Sequence, residues 1–249
     1  MRNYGWRPDV PDHRDFTYTI KRRLKALPPT ADLRKKCPPV YDQGDLGSCT
    51  ANAIGASYEF DLLRQGVEDF TPSRLGLYYD ERVKEGTVQS DSGAQIRTGI
   101  KVVVAQGVYP ETLWPYKIDK FKTKPPANCY TEAKKHQALV YERVPRTIEG
   151  ICGVLAEGLP FVFGFSVYSA FEGETVARTG VLYLPKKNES FLGGHAVMAV
   201  GYSMKTKRVI VRNSWGPSWG KNGHFTMPID YLLNPNLADD FWVIRRVEG

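Results

Sequence analysis

Apolar residues recur every four positions in one stretch of the first half. Ile54, Tyr58 and Leu62 share a face, and Phe60 and Leu63 widen the stripe. The pattern predicts a helix over 47–66, with Ser48 as N-cap and Gly66 as its stop. A second helix is predicted to open at Thr71-Pro72-Ser73 and run through Leu75, Leu77, Tyr78 and Val83. A third spans about 95–106 and stops at Gly107. The second half reads differently. Residues 161–167, 180–184, 195–202, 208–212 and 241–247 are aromatic and β-branched runs with Gly and Pro at their ends, the pattern of strands. Helices first and strands second predict an α+β chain in two lobes, with an active-site cleft between them. Residues 1–26, rich in Pro, Asp and Arg, carry no helical stripe and read as an extended arm ahead of one domain over 27–249.

Composition narrows the class. With 42% apolar and 24% charged residues, the 249-residue chain is globular rather than disordered, collagen-like or coiled-coil. A chain of this length buries about 70–75% of its unfolded surface and needs no disulfide or metal to fold. Its longest apolar runs, 161–165 and 196–201, fall far short of the ~20 residues that span a bilayer, so a soluble protein without a membrane span is expected. Its first residues lack the apolar stretch of a secretory signal, which suggests a cytoplasmic or non-classically exported protein. The net charge is 34 − 27 = +7. The basic runs 21–25 and 34–36 have no interleaved aromatics, so they read as solvated segments and nucleic acid is not an expected partner. A processing site or a polyanion contact is the alternative. A monomer is expected. The four cysteines form no C-x-x-C pair and are too few for a disulfide scaffold.

Candidate chemistry comes from a few positions. Cys49 opens the first predicted helix, where unpaired N–H groups and the helix dipole favour thiolate. Of four histidines, His195 follows two glycines at the start of a predicted strand. A hairpin turn centred on Met204 places His195 opposite Asn213, whose amide then fixes the imidazole tautomer. Gln43, six residues before Cys49, offers an amide N–H to an oxyanion. Singly, each has a structural reading: a buried small hydrophobe for Cys49, a core or surface histidine, a solvated turn for Gln43. Together they make a nucleophile, a base, an orienter and an oxyanion donor. A transferase using the same residues and a non-catalytic binding protein stay open on the residues alone.

The segments 43–50, 194–202 and 213–223, with Gln-Gly-x-x-Gly-Ser-Cys, Gly-His-Ala-Val and Asn-Ser-Trp-Gly, resemble the papain family of cysteine peptidases. The resemblance runs from about residue 27 to the end and implies a helical left lobe and a β-barrel-like right lobe. It makes Cys49 the nucleophile, His195 the base, Asn213 the orienter, Gln43 the oxyanion residue and Trp215 the shield of the His–Asn bond. It assigns Ser92, Gly93 and Ala94 to one wall of the substrate pocket and Gly164, Gly193 and Gly194 to the other. Such small residues suit a bulky apolar side chain, unless the arm or the loop 171–178 fills the space. Peptide or protein substrates and proteinaceous inhibitors are the implied partners; no metal or cofactor is implied. The sequence also departs from the family. Leu46 stands where many relatives have a cysteine, and 90–93 lacks its disulfide partner, so a bridge is absent. Thr50 replaces the usual aromatic residue. The arm is expected to lie over the cleft and limit access, with a structural strap as the competing reading.

Overall fold

The helix predicted over 47–66 forms as α1, Cys49–Gln65, and Gly66 ends it in the left-handed conformation at φ 68° that glycine adopts without strain. Ser48 occupies the cap position but does not cap with its side chain. Its hydroxyl instead lies 2.5 Å from the Tyr116 hydroxyl and accepts from Asn52 Nδ2. The second helix, α2, Arg74–Glu85, is capped by Ser73 Oγ, which accepts the Gly76 N–H. The third, α3, is Ile96–Ala105. The computed structural model describes residues 3–20 and 26–248. The basic run predicted as a solvated or processed segment, 21–25, lies outside them.

Strands β1 (Thr30–Asp32), β2 (Ala138–Arg143), β3 (Phe161–Tyr168), β4 (Phe191–Ser203), β5 (Arg208–Arg212), β6 (His224–Pro228) and β7 (Ala238–Val247) form one antiparallel sheet. Its order is β2-β7-β3-β4-β5-β6, with β1 paired to β4; the sheet is mixed with helices in an α+β fold and does not close into a barrel. Four short helices, α4 (Ala127–Ala133), α5 (Ile148–Ala156), α6 (Glu174–Thr179) and α7 (Ile229–Leu233), fill the connections. No described helix is long and apolar enough to cross a membrane.

Helix α1 packs on α2 and α3 on one side and on β4 and β7 on the other. That central position explains why it is buried from Cys49 through Leu62, polar residues included, rather than along one stripe. Leu63, assigned to the stripe, is exposed. Two large apolar cores result among the described residues, one under the helices with Ile54, Tyr58, Leu62, Leu75 and Ile100, the other within the strand-rich lobe around Phe163, Phe165, Val197 and Phe225, beside a small cluster of Tyr109, Cys129 and Ala133.

Two predicted strand features need correction. Residues 180–184 are not a strand: Gly180 terminates α6, and only Val181 makes an isolated bridge, to Thr226. The β4–β5 turn is longer than the one centred on Met204. Ser203 pairs with Arg208, and an irregularity between Ala199 and Gly201 shifts the register to Met198 opposite Arg212. Asn213 therefore sits beyond the end of β5 rather than directly across from His195. Its N–H is held by the Gly223 carbonyl at 3.0 Å.

Candidate active site

Asn213 still reaches His195, from this loop instead of from a ladder position. His195 Nε2 and Asn213 Oδ1 are 2.8 Å apart, and both residues are buried. The same Oδ1 accepts the Ser214 N–H at 2.9 Å, which identifies it as the amide oxygen. Nε2 is therefore the donor, and in the neutral ring Nδ1 is the basic nitrogen. Trp215 stacks on the imidazole with centroids 5.1 Å apart and planes 29° apart, covering the bond. Phe165 and Phe171 close the other sides, at 5.8 and 6.2 Å.

Cys49 is the first residue of α1, and its Sγ accepts the Ala196 N–H, from the residue after His195, at 3.4 Å. Cysteine and histidine are thus brought together from the two lobes. Gln43 is buried beside them. Its Nε2 donates to the Leu46 carbonyl, its Oε1 accepts the Ser214 hydroxyl, and its backbone N–H donates to the Ser214 carbonyl. An amide nitrogen carries two protons, and the bond to Leu46 uses one. The remaining histidines lie elsewhere. His13 is exposed on the arm, and His136 pairs with Glu132. His224 is buried against the Asn222 carbonyl, with burial lowering its pKa to about 4.

All four cysteines are free. A carboxylate does the tethering that a bridge would otherwise do. Asp91 accepts the Gly47 N–H with both oxygens and the Tyr78 hydroxyl at 2.5 Å, pinning the loop that leads into Cys49. Thr50, where an aromatic residue is usual, donates to Glu81 at 2.7 Å; burial raises that carboxyl to about 8.

The arm occupies the cleft. Ala94 N–H donates to the Gly5 carbonyl at 2.7 Å, Arg7 N–H to the Ala94 carbonyl at 3.1 Å, and Trp6 N–H to the Gly194 carbonyl at 2.9 Å. The Trp6 indole lies against Gly164 and Gly194, at positions where any Cβ would collide with the ring. Tyr4 covers Gly193 and points its ring at His195 from 5.9 Å. Five of the six pocket positions thus contact or closely adjoin the arm; Ser92 instead donates its hydroxyl to Thr87. The space left by the small residues is real, and Trp6 fills it. Under this cover the Cys49 thiol is pushed up to about 11 by burial, against the opposing pull of N–H groups from Ala196, Gly5 and Thr50. Desolvation outweighs the helix start that favours thiolate.

One end of the cleft was not legible from local sequence. Trp6 Nε1 donates to Asp240 at 3.0 Å, and Asp9, Arg143 and Trp242 complete a buried polar cluster. The partners lie more than 200 residues apart for Trp6 and Asp240, so no spacing motif announces them.

A family profile described as papain family cysteine protease matches residues 27–231. The chain belongs to the papain family. An uncharacterized peptidase C1-like protein of Acanthamoeba polyphaga mimivirus is 43% identical over 99% of this chain and 88% of its own length. Cysteine proteinase 2 of Entamoeba histolytica is 30% identical over 82% of this chain, which spans 64% of that protein. The crystal structure of xylellain, a cysteine protease from Xylella fastidiosa, superposes with a TM-score of 0.92 at 44% identity, covering 98% of this chain and 96% of that one. The two-lobed α+β fold and a thiol-protease hydrolase activity on peptide bonds follow from this membership.

Proposed function

We propose that this papain-family protease works through Cys49, His195 and Asn213, with Gln43 in the oxyanion site, and that the tip of its arm restrains it. The observation that carries the reading is the buried 2.8 Å His195–Asn213 bond under Trp215, beside a cysteine at a helix N-terminus. Asn213 holds Nε2–H, so Nδ1 takes the Cys49 proton and later returns it to the leaving amine. The thiolate attacks a peptide carbonyl. The developing oxyanion is met by the Cys49 backbone N–H and the second proton of Gln43 Nε2. Water, activated by the same imidazole, releases the acyl group. Asn213 keeps the ring in one orientation throughout, and Trp215 keeps water from competing for their bond.

The arm is held as an occupant that escapes this chemistry. The Gly5 carbonyl is bonded to Ala94, so it is committed away from the Gln43 amide. Residues farther along do a different job, which supports the strap reading for that part. Tyr18 is buried in the strand-lobe core, and backbone bonds join Tyr18 and Phe16 to Arg143 of β2. We assign residues 4–6 as a plug and 15–18 as its anchor.

An epoxide probe that alkylates activated thiols, read by intact mass and peptide mapping, tests both parts. Labelling at Cys49 alone, slow in the native chain, faster in Trp6→Ala and absent in Cys49→Ala, is expected. Labelling spread over Cys37, Cys129 and Cys152 in the folded protein would overturn the assignment of the nucleophile.

A further inference from the structure

The arm's grip extends past the cleft to a second site, which the peptidase chemistry does not use. The Asp9 side chain is wholly buried, although it belongs to an arm with exposed neighbours at Pro8 and Val10. Three groups from three elements of the domain converge on its carboxylate. Oδ1 accepts the Arg97 N–H, in the first turn of α3, at 3.0 Å. Oδ2 accepts Trp242 Nε1 of β7 at 2.9 Å and Arg143 Nη2 of β2 at 3.2 Å. Trp242 is fully buried with the arm in place, and Asp9 supplies the acceptor that its indole N–H needs there.

Directly beside this cradle lies its complement. Asp240 Oδ2 accepts two arm donors, Trp6 Nε1 at 3.0 Å and the Asp9 N–H at 2.8 Å. Its Oδ1 accepts Arg143 at 3.0 Å, which makes Arg143 the shared cation between the two carboxylates. The domain therefore presents an acceptor for a ring N–H and, three residues along the bound chain, a set of donors for a carboxylate. Asp15 adds a second arm acid, bonded to both Arg97 and Arg143. Displacing the tip removes Asp9, while the anchored Asp15 keeps its bonds to Arg97 and Arg143. The Arg97 N–H, the Trp242 Nε1–H and one bond of Arg143 Nη2 are then left without the acceptor that Asp9 supplies.

We propose that Arg97, Arg143 and Trp242, with Asp240 beside them, form a carboxylate-binding site for peptides. Its ligand is a segment carrying an N–H-bearing aromatic ring followed, three residues later, by an acid. Asp9 is its resident occupant, and an acidic segment of another polypeptide takes its place when the arm is out. This rests on the reading of the arm as displaceable. Both features are needed. Asp240 rewards the ring donor, and the flanking arginines and buried indole reward the acid.

The test uses the full chain carrying Trp6→Ala and Asp9→Ala, with Trp6→Ala and Asp9→Asn, which keeps the side chain's shape but not its charge, as the second variant should the first fail to fold. The probe is a fluorescent peptide copying residues 3–11, followed by anisotropy and by inhibition of a small fluorogenic substrate. Saturable binding is expected, weakened about 10-fold or more when the peptide's acid becomes Asn or moves by one position. Equal affinity of the Asp and Asn peptides, or no saturable binding at all, overturns the proposal. The displaceable arm is scored separately, by the gain in basal hydrolysis of the variant before any peptide is added. A gain without acid-dependent binding sinks the carboxylate site and leaves the plug standing.

Discussion

Asp91 holds the Gly47 N–H at 3.0 and 3.1 Å, two residues before the cysteine. One carboxylate also takes the Tyr78 hydroxyl and the Asn3 amide, so it fastens the loop both to α2 and to the arm. Asp91→Ala is expected to cost about 2–3 kcal/mol, the scale for hydrogen bonds to a charged acceptor. Urea unfolding checks this, with Asp91→Asn recovering part of the loss. An Ala variant as stable as the wild type would mean that the loop is held by packing alone.

Trp6→Ala removes the largest contact of the plug and its bond to Asp240. Truncating a buried tryptophan typically costs about 3–5 kcal/mol. Here that loss falls on the closed state, so kcat/KM on a small substrate should rise by about 10-fold or more. Hydrolysis rates of equal amounts of folded protein decide it, and an unchanged or lower rate counts against the plug.

Reactivity of Cys49 with an alkylating reagent follows its ionisation. With the arm seated, burial holds the thiol up at about 11. Opening the cleft restores water and leaves the helix N-terminus and the imidazole as the dominant influences, so the rate–pH profile of Trp6→Ala should move to lower pH. Identical profiles for the two proteins would show that the arm does not set the solvation of the sulfur.

Asn213→Ala leaves His195 stacked on Trp215 but without the acceptor that fixes Nε2–H. Misplacing a proton-transfer group typically costs about 10²-fold. Measured in the Trp6→Ala background, the loss should fall on kcat rather than KM. A change confined to KM would assign Asn213 to substrate binding.

Glu81 is buried under α1, with its carboxyl pushed up to about 8 by loss of solvation. The folded state thus holds this proton more tightly than the unfolded chain, where the group titrates near its ordinary 4.5. Stability contributed by the protonated carboxyl is complete below pH 4.5 and is lost as the pH rises towards 8. Glu81→Gln keeps an acceptor for Thr50 and cannot ionise. Its stability relative to the wild type should increase across that window by a few kcal/mol. Urea midpoints at pH 5 and 8.5 measure the difference, and a pH-independent difference would contradict it.

The parts that sequence made legible are those governed by neighbours in the chain. The four-residue recurrence of Ile54, Tyr58 and Leu62, the helix opening at Ser73 and the Gly66 stop are local, and α1 and α2 formed within a few residues of expectation, although the Ser48 side chain does not cap α1. The β4–β5 pairing was foreseen, but its register was not. It depends on the length of the turn and on an irregularity at Val200, neither of which hydrophobic alternation encodes. Residues 180–184 read as a strand because they are apolar, yet only Leu182 among them is a buried apolar side chain and Tyr183 and Leu184 are exposed, so the run does not extend a sheet. Asp91, Asp240 and Trp242 escaped notice for another reason. A lone acid or indole has no pattern of its own, and its meaning comes from a partner far away in sequence.

If the tip restrains the enzyme as proposed, the anchoring of Tyr18 to β2 has a consequence for that restraint. The plug and the cleft belong to one chain and stay joined beyond the point of contact, so the inhibitor's local concentration is fixed by the tether rather than by how much protein is present. Dilution leaves the closed fraction unchanged. A substrate that enters must outcompete a neighbour that never diffuses away, and each exit of product offers the tip another chance to close. Latency of this kind ends in two ways: by severing the connection, or by offering the tip somewhere better to bind.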